Sequence, residues 1–574
     1  MKKMLFFGII LMTIACKNTG DEQDITQQDI TARPQIMCAP PLTDVAWYTS
    51  DKTAPLLEGM DILKYPITTR SPEAQKYFNQ GLLLSYAFNH AEAGRSFFEA
   101  TRLDSTCAMC YWGFAYVLGP NYNAGMEPDN YVRAFNAIQK AIRLSSHSTP
   151  KEKALIKAMS ARYALDPSQP RRPLDSAYML AMKEVHKQFP IDVDIAAMYA
   201  ESLMDMHPWD LYDHAGNPMP WTPEIVNAIE SSIKINPKHP GGHHFYIHAV
   251  EASITPEKAL ASCKLFDEGM VPNAGHLVHM PSHIYIHTGD YELGKIANIK
   301  AVVLDSGYVS QCNAQGAYPV AYYPHNYHFL AGCATLEGDS KWAVQAALKM
   351  ADQTNNKAMF DHNLYGLQHM NSIPYFIRVK FGKWQDILSE GPPDSSLVYP
   401  MGIYHYAKGM AFLGTNKLIA AKAELVALQK IARIDSLKNI KIWGFNSMFQ
   451  ILDIAQKTLE GNLMAKQGDF DESIKLLREA VAGEDQLLYQ EPPDWFFSVR
   501  HYLGTVLLDA KKPEEAITVY NEDLKHYPKN GWALNGLRMS YEATHQLEKA
   551  KETEVRFRES WKYADIKLTA SIVQ

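Results

Sequence analysis

Beyond residue 15 the chain has no apolar run of 18 residues, so nothing after its start is long enough to span a bilayer as a helix. It also lacks an excess of positive charge. Its 56 Lys and Arg stand against 63 Asp and Glu, a formal net charge of -7, so there is no broad basic field to attract DNA or RNA and no nucleic-acid partner is expected. No P-loop GxxxxGK[ST], no GxGxxG after a strand, no GxSxG elbow and no HExxH occurs, which leaves nucleotide, serine-hydrolase and zincin chemistry without support. Cysteine is sparse, 7 in 574 residues, and the one CxxC, Cys107 with Cys110, has no second CxxC to complete a zinc site; a local disulfide or two buried thiols is expected there. What is present is ordinary globular material, 47% hydrophobic and 21% charged, enough for a sizeable core and too much for wholesale disorder.

The N-terminus is the exception to the missing apolar runs. Lys2 and Lys3 precede the apolar stretch Met4 to Ala15, too short to span a bilayer but right for the h-region of an export signal. It ends in Thr13-Ile14-Ala15-Cys16, which resembles the lipobox of bacterial lipoproteins. That resemblance implies removal of residues 1–15, diacylation of the Cys16 sulfur (palmitate-type chains), and an exported chain anchored in a membrane at the outer-membrane or periplasmic face. Two or three acyl chains hold far better than one, since each buried methylene adds about 0.8 kcal/mol. Residues 16–41 are polar and aperiodic and read as a flexible tether.

Self-similarity near a 34-residue period gives the fold. It is clearest from Arg500: Leu503-Gly504, Leu507, Ala516, Tyr520 and Pro528, then a second unit at Trp532 with Gly536. The same offsets recur at Tyr77, Gly81, Leu84, Ala93, Phe97 and Ala100, and at Gly461, Met464, Ser473, Leu477 and Ala480. Small residues let two helices of a hairpin approach, a large one fills the gap beside them, and proline stops the second helix. These positions resemble the tetratricopeptide repeat (TPR). The expected fold is therefore all-α, a TPR-like α-solenoid of antiparallel helix hairpins that is irregular in its middle third. The expected regions are 42–200, N-terminal and TPR-like; 201–330, irregular and His-rich; 331–453, helical repeats; and 454–574, C-terminal TPR repeats. The resemblance implies protein or peptide binding in the concave groove, but the matching positions are structural and name no partner.

Histidine is concentrated. Eight of the 21 lie between His239 and His287, where an even scatter would place about two. His244, His248 and Glu251 stand at i, i+4 and i+7, on one stripe of a helix. His276, His279, His283 and His287 follow at steps of three, four and four, with Pro281 either kinking that helix or starting a shorter one that leaves His276 and His279 in a loop. Imidazole with carboxylate suits zinc, copper or iron rather than calcium or magnesium. The expected metal ligands are His244, His248, Glu251, His283 and His287, with His279 a further one. The alternatives are histidines hydrogen-bonded to carbonyls and tyrosines, and proton transfer without a metal.

Two long aromatic connections flank this region and read as ligand platforms: Trp209, Asp210, Asp213, His214 and Trp221 in the first, Tyr322, Tyr323, His325 and His328 in the second. The turn Gly119 to Asn123 is a further candidate, while His90 and Glu92 read as hairpin-corner residues. Three functions are compatible with these features. The first is a membrane-anchored TPR scaffold with a protein or peptide partner and a histidine-built site. The second is a metal-dependent enzyme built on the solenoid, its catalytic residues unassigned. The third is a nutrient-binding lipoprotein, similar in architecture alone to the SusD family.

Overall fold

One turn recurs along the chain, and it is set by backbone conformation. The computed structural model describes residues 44–312, 318–354 and 357–573; Cys16, the tether and Cys38 lie outside them. Hairpin after hairpin joins its two helices through a residue with left-handed φ: Phe88, Gly289, Gly338, Gly382, Asn416, Gly468, Lys511 and His545. Glycine adopts that conformation freely, and Asn is the next most tolerant. Phe88 stands out as the bulky apolar residue of the set, and its ring has a use described below.

The helices on either side form antiparallel pairs, among them Pro72–Tyr86 with His90–Leu103, Tyr323–Glu337 with Ser340–Gln353, Met448–Gln467 with Phe470–Asp485, Arg500–Asp509 with Pro513–His526, and Gly531–Ala543 with Leu547–Ser560. This is the TPR-like all-α solenoid. Two-residue strands, Lys441–Ile442 and Asn446–Ser447, pair antiparallel in one connection. Among the described residues no helix is long and apolar enough to cross a membrane.

Small-against-large packing locks neighbouring helices. A Cβ on Gly504 would lie 2.3 Å from Tyr520 Cζ, and one on Gly536 would lie 2.2 Å from the same atom, so the Tyr520 ring fills the space both glycines leave. Phe97 occupies the equivalent place between Gly81 and Gly113. Gly504→Ala is therefore an overpacking substitution, expected to cost about 1–3 kcal/mol. Urea denaturation of the C-terminal repeats would measure it, and a loss below a few tenths would show that Tyr520 can move aside.

Residues 570 and 571 pack onto the helices of the C-terminal repeats. Ser571 Oγ donates to the His501 carbonyl at 2.9 Å and lies 2.6 Å from Tyr520 Oη and 2.9 Å from Thr505 Oγ1. Asn535 Nδ2 donates to the Ala570 carbonyl at 2.9 Å. The same repeats pack back on the middle of the chain, where Trp532 Nε1 donates to the Thr335 carbonyl and Asp565 accepts from Ser340 N.

Two large apolar cores result. One is built from residues 60–285 with Tyr318 and Tyr322, and the other from residues 299–537. The middle third lies where they meet, and it carries the histidines.

Candidate metal centre

Helix Pro240–Val250 begins with a local cap. His239 lends its ring nitrogen to Gly242 N at 2.9 Å and faces Asp194 at 3.1 Å, so it is structural. His243 is likewise structural, bonded to Ser262 Oγ at 2.8 Å and to the Pro237 carbonyl at 3.0 Å. His244 and His248 sit one turn apart on another side of the helix, and Glu251 follows in helical conformation.

The second stripe comes from helices Gly275–His279 and Pro281–Thr288. Met280 between them keeps right-handed helical angles, φ -50° and ψ -37°. Pro281 thus becomes a first-turn residue without turning the chain away, and His276 and His279 stay in line with His283. Close approach is built in at Gly275, where a Cβ would stand 1.9 Å from Asp305 Oδ1. Asp305 accepts from Tyr318 Oη at 2.7 Å and from Asn326 Nδ2 at 2.6 Å, which ties this segment to the helix carrying His325. Burial pushes the Asp305 carboxyl up to about 7.

Three elements therefore converge. Within each of the groups His244–His248–His276, His279–His283–His325 and His248–Glu251–His283, one ligand atom per residue lies within 4.8 Å of the others. The rings of His248 and His283 are 5.1 Å apart, and those of His276 and His279 are 5.6 Å apart, so the groups abut. His244, His248, Glu251, His276, His279 and His283 are buried, and His325 is half-buried.

Hydrogen bonding fixes the protons. His244 Nδ1 meets the Tyr86 carbonyl at 2.6 Å, and His248 Nδ1 meets Glu251 Oε1 at 3.0 Å. His283 Nδ1 meets Glu251 Oε2 in a short contact. His279 Nδ1 meets Asn298 Oδ1 at 2.8 Å; the Asn298 amide is oriented by its own Nδ2, which donates to the Gly294 carbonyl at 2.8 Å. Ser282 Oγ, whose proton goes to the His279 carbonyl, is a second acceptor for that Nδ1 at 3.2 Å. Carbonyl, carboxylate and amide oxygens only accept, so all four rings carry the proton on Nδ1 and a lone pair on Nε2.

On His248, His279 and His283 those lone pairs have no donor to meet, whereas that of His244 can accept from His276 Nε2. His279 Nε2 faces His283 Nε2 at 2.9 Å, two acceptors against each other. His248 Nε2 is buried without a hydrogen-bond partner, as is His276 Nδ1. His244 Nε2 lies 3.2 Å from His276 Nε2. A proton on the second nitrogen of these rings is disfavoured: burial first, and neighbouring imidazoles after it, push His244, His276, His279, His283 and His325 well below the ordinary histidine range.

An aromatic shell surrounds the centre. Phe88 lies 4.5 Å from the His244 ring, Tyr122 5.4 Å from His248, Tyr322 5.1 Å from His276, and Phe329 4.4 Å from His283. Trp209 closes over His248 at 5.8 Å and stacks on Tyr122. Phe88 and Trp209 both have left-handed backbone, φ 53° and 59°. For bulky residues that conformation costs on the order of 1–3 kcal/mol each, a pattern associated with functional sites.

Other expected site residues are placed elsewhere or have other tasks. His287 turns to Glu491, 2.7 Å away, and to Tyr489; burial lowers its affinity for a proton, but the Glu491 carboxylate outweighs this and raises it. Glu251 has both oxygens on Nδ1 protons, so it orients His248 and His283. Asp210 presents its carbonyl to Trp221 Nε1, Trp221 stacks on His207 at 3.9 Å, and Asp213 and His214 are exposed in a self-capped turn. Tyr323 packs on Tyr327, and His328 stacks on Phe496. His90 begins its helix behind the Asn89 cap. Tyr122 comes from the candidate turn Gly119 to Asn123, whereas Phe88 and Asn298 belong to the centre without any local sequence signal.

No family model and no curated protein matches the chain. Solved structures give helical-repeat neighbours. A human IFIT1 dimer with m7Gppp-AAAA is 12% identical over 86% of this chain and 91% of that one, with a TM-score of 0.31. An APC/C hetero-tetramer, Cut9–Hcn1, is 13% identical over 82% and 78%, with a TM-score of 0.31. Yeast Tom70 is 11% identical over 85% and 90%, with a TM-score of 0.27. At that similarity they assign neither partner nor activity.

Proposed function

We propose that this chain is a transition-metal protein in which a TPR-like solenoid shapes and seals a buried imidazole centre. The observation that carries this reading is the pair of opposed Nε2 lone pairs on His279 and His283, 2.9 Å apart. A buried acceptor left without a donor costs about 1–3 kcal/mol, and here two are pressed together. A cation bound between them turns the repulsion into coordination. Anchoring of Nδ1 on carbonyl, carboxylate and amide oxygens is what metal-binding histidines need, because it fixes ring orientation and raises the basicity of the other nitrogen.

The donor set selects the metal class. Neutral imidazoles suit zinc, copper or iron, and offer little to calcium or magnesium. Two nitrogens on one tetrahedral zinc, each at about 2.0–2.1 Å, stand roughly 3.3 Å apart. The 3.2 Å between His244 Nε2 and His276 Nε2 fits without movement, and the 2.9 Å pair needs a small one. Three imidazoles leave a fourth position open, which is how a bound metal polarises or activates a small ligand. The export and lipid anchoring implied by Thr13 to Cys16 belong to the same proposal, which then describes an exported, membrane-tethered metalloprotein.

Metal analysis of the full chain, purified without an affinity tag and exchanged against a weak chelator, tests the reading. At least one transition-metal ion per chain is expected. Less than a tenth of an ion, with none taken up from added zinc or copper, would overturn it.

A further inference from the structure

The six rings can be divided among these groups in only one way that uses each ring once. His244, His248 and His276 form one triad, and His279, His283 and His325 form the other. The remaining group, His248–Glu251–His283, takes one ring from each. Glu251 meets both of those rings at Nδ1, one through each carboxylate oxygen, and so leaves both Nε2 atoms free. A carboxylate in that position works as a clamp between two sites.

Building on the metal-binding reading, we propose that the chain binds two transition-metal ions, one in each trihistidine site, and that Glu251 is the shared positioning residue coupling them. The pairing predicts a third component. Two divalent ions would bring four positive charges into a shell of aromatic rings, where neutral imidazoles cancel none of them and the Glu251 carboxylate cancels one. Buried charge of that size is strongly unfavourable unless it is paired. The pair of ions therefore takes a small anionic ligand such as hydroxide, for which azide is the probe.

Access limits that ligand to something small. A pocket of about 80 Å³ opens beside the first triad, lined in part by His90, Asn121, Phe88 and Tyr322. Its Phe88 and Tyr322 walls are the rings that cover His244 and His276. A ligand entering from this side passes those two rings before it reaches the first triad. The room available admits a few atoms.

Cobalt(II) titration of the metal-free full chain, read by visible absorption and by metal analysis after desalting, decides between one ion and two. The expected result is saturation at two equivalents, with the bands shifted by millimolar azide. His244→Ala and His325→Ala should each retain one equivalent, and Glu251→Gln should weaken both sites by about 10- to 100-fold. Saturation of the unaltered chain at one equivalent would overturn the pairing while leaving metal binding in place, and this arm does not depend on any variant folding. Loss of all metal in either single variant would also overturn it, in favour of one ion shared by both triads. Bands unmoved by azide would overturn the anionic ligand. No cobalt, zinc or copper bound at all would remove the underlying reading as well.

Discussion

The metal-free chain should gain about 4 kcal/mol of apparent stability per occupied site in its middle third when zinc is supplied at about a thousand times its Kd, and His283→Ala should abolish the share of the His279–His283–His325 site while leaving that of His244–His248–His276. His283 is the choice because it sits at the junction. Its ring is fully buried, its Nδ1 is held by Glu251, and its Nε2 faces His279 at 2.9 Å. Replacing it with Ala removes a ligand atom and deprives one Glu251 oxygen of its donor. Without metal the same change removes one of two opposed acceptors, so part of the cavity cost is offset. The zinc-dependent part therefore isolates coordination from packing. Hydrogen exchange of the amides in residues 275–312, with zinc and with chelator, reads the middle third separately from the outer repeats. An equal zinc effect in the variant and the unaltered chain would exclude His283 as a ligand.

The outer repeats were readable because a 34-residue period constrains many positions at once. Gly504, Tyr520 and Gly536 are each ambiguous alone, but their spacing admits one packing, and Tyr520 does fill the space between the glycines. The two histidine stripes were also visible, since i, i+4 spacing on a helix is a local property. Three features were not local. His276 is not among the expected ligands, and the sequence leaves Pro281 either kinking the helix or opening a shorter one; it does open one, but Met280 holds helical angles, so His276 stays in line. His325 lies 42 residues beyond His283, and its approach depends on how hairpins stack. The role of Glu251 was hidden as well: spacing places a carboxylate beside His248, but only the position of Nδ1 shows that it orients rings. The seat of Ser571 against Thr505 and Tyr520 likewise has no periodic signal, because a non-helical segment makes its contacts through single residues.

Arg162→Met should destabilise the N-terminal repeats by about 3–5 kcal/mol, the usual cost of leaving one member of a buried ion pair alone. Arg162 is buried, and its Nη2 donates to Asp205 Oδ2 at 2.7 Å and to the Pro120 carbonyl at 2.8 Å. Its guanidinium also lies 4.6 Å above the Tyr178 ring. Even with this partner, burial raises the Asp205 carboxyl well above its ordinary range, and it lifts that of Glu201 to about 7. Removing the cation raises both further. Between the unfolded value, near 3.9 for Asp, and the raised folded value, the folded state holds more protons than the unfolded one, so stability falls as pH rises. The loss should accordingly be larger at pH 8 than at pH 5. Pairing the change with Asp205→Leu removes the stranded charge and should recover much of the stability, because a buried ion pair replaced by apolar side chains is often near neutral. The bond to Pro120 links this cluster to the centre, since Pro120 begins the turn that carries Tyr122 to the His248 ring, 5.4 Å away. Urea denaturation at both pH values measures the effect. A loss under 1 kcal/mol at pH 8, or no recovery in the double variant, would show that Asp205 is neutral in the folded chain and that Arg162 holds the turn through Pro120 alone.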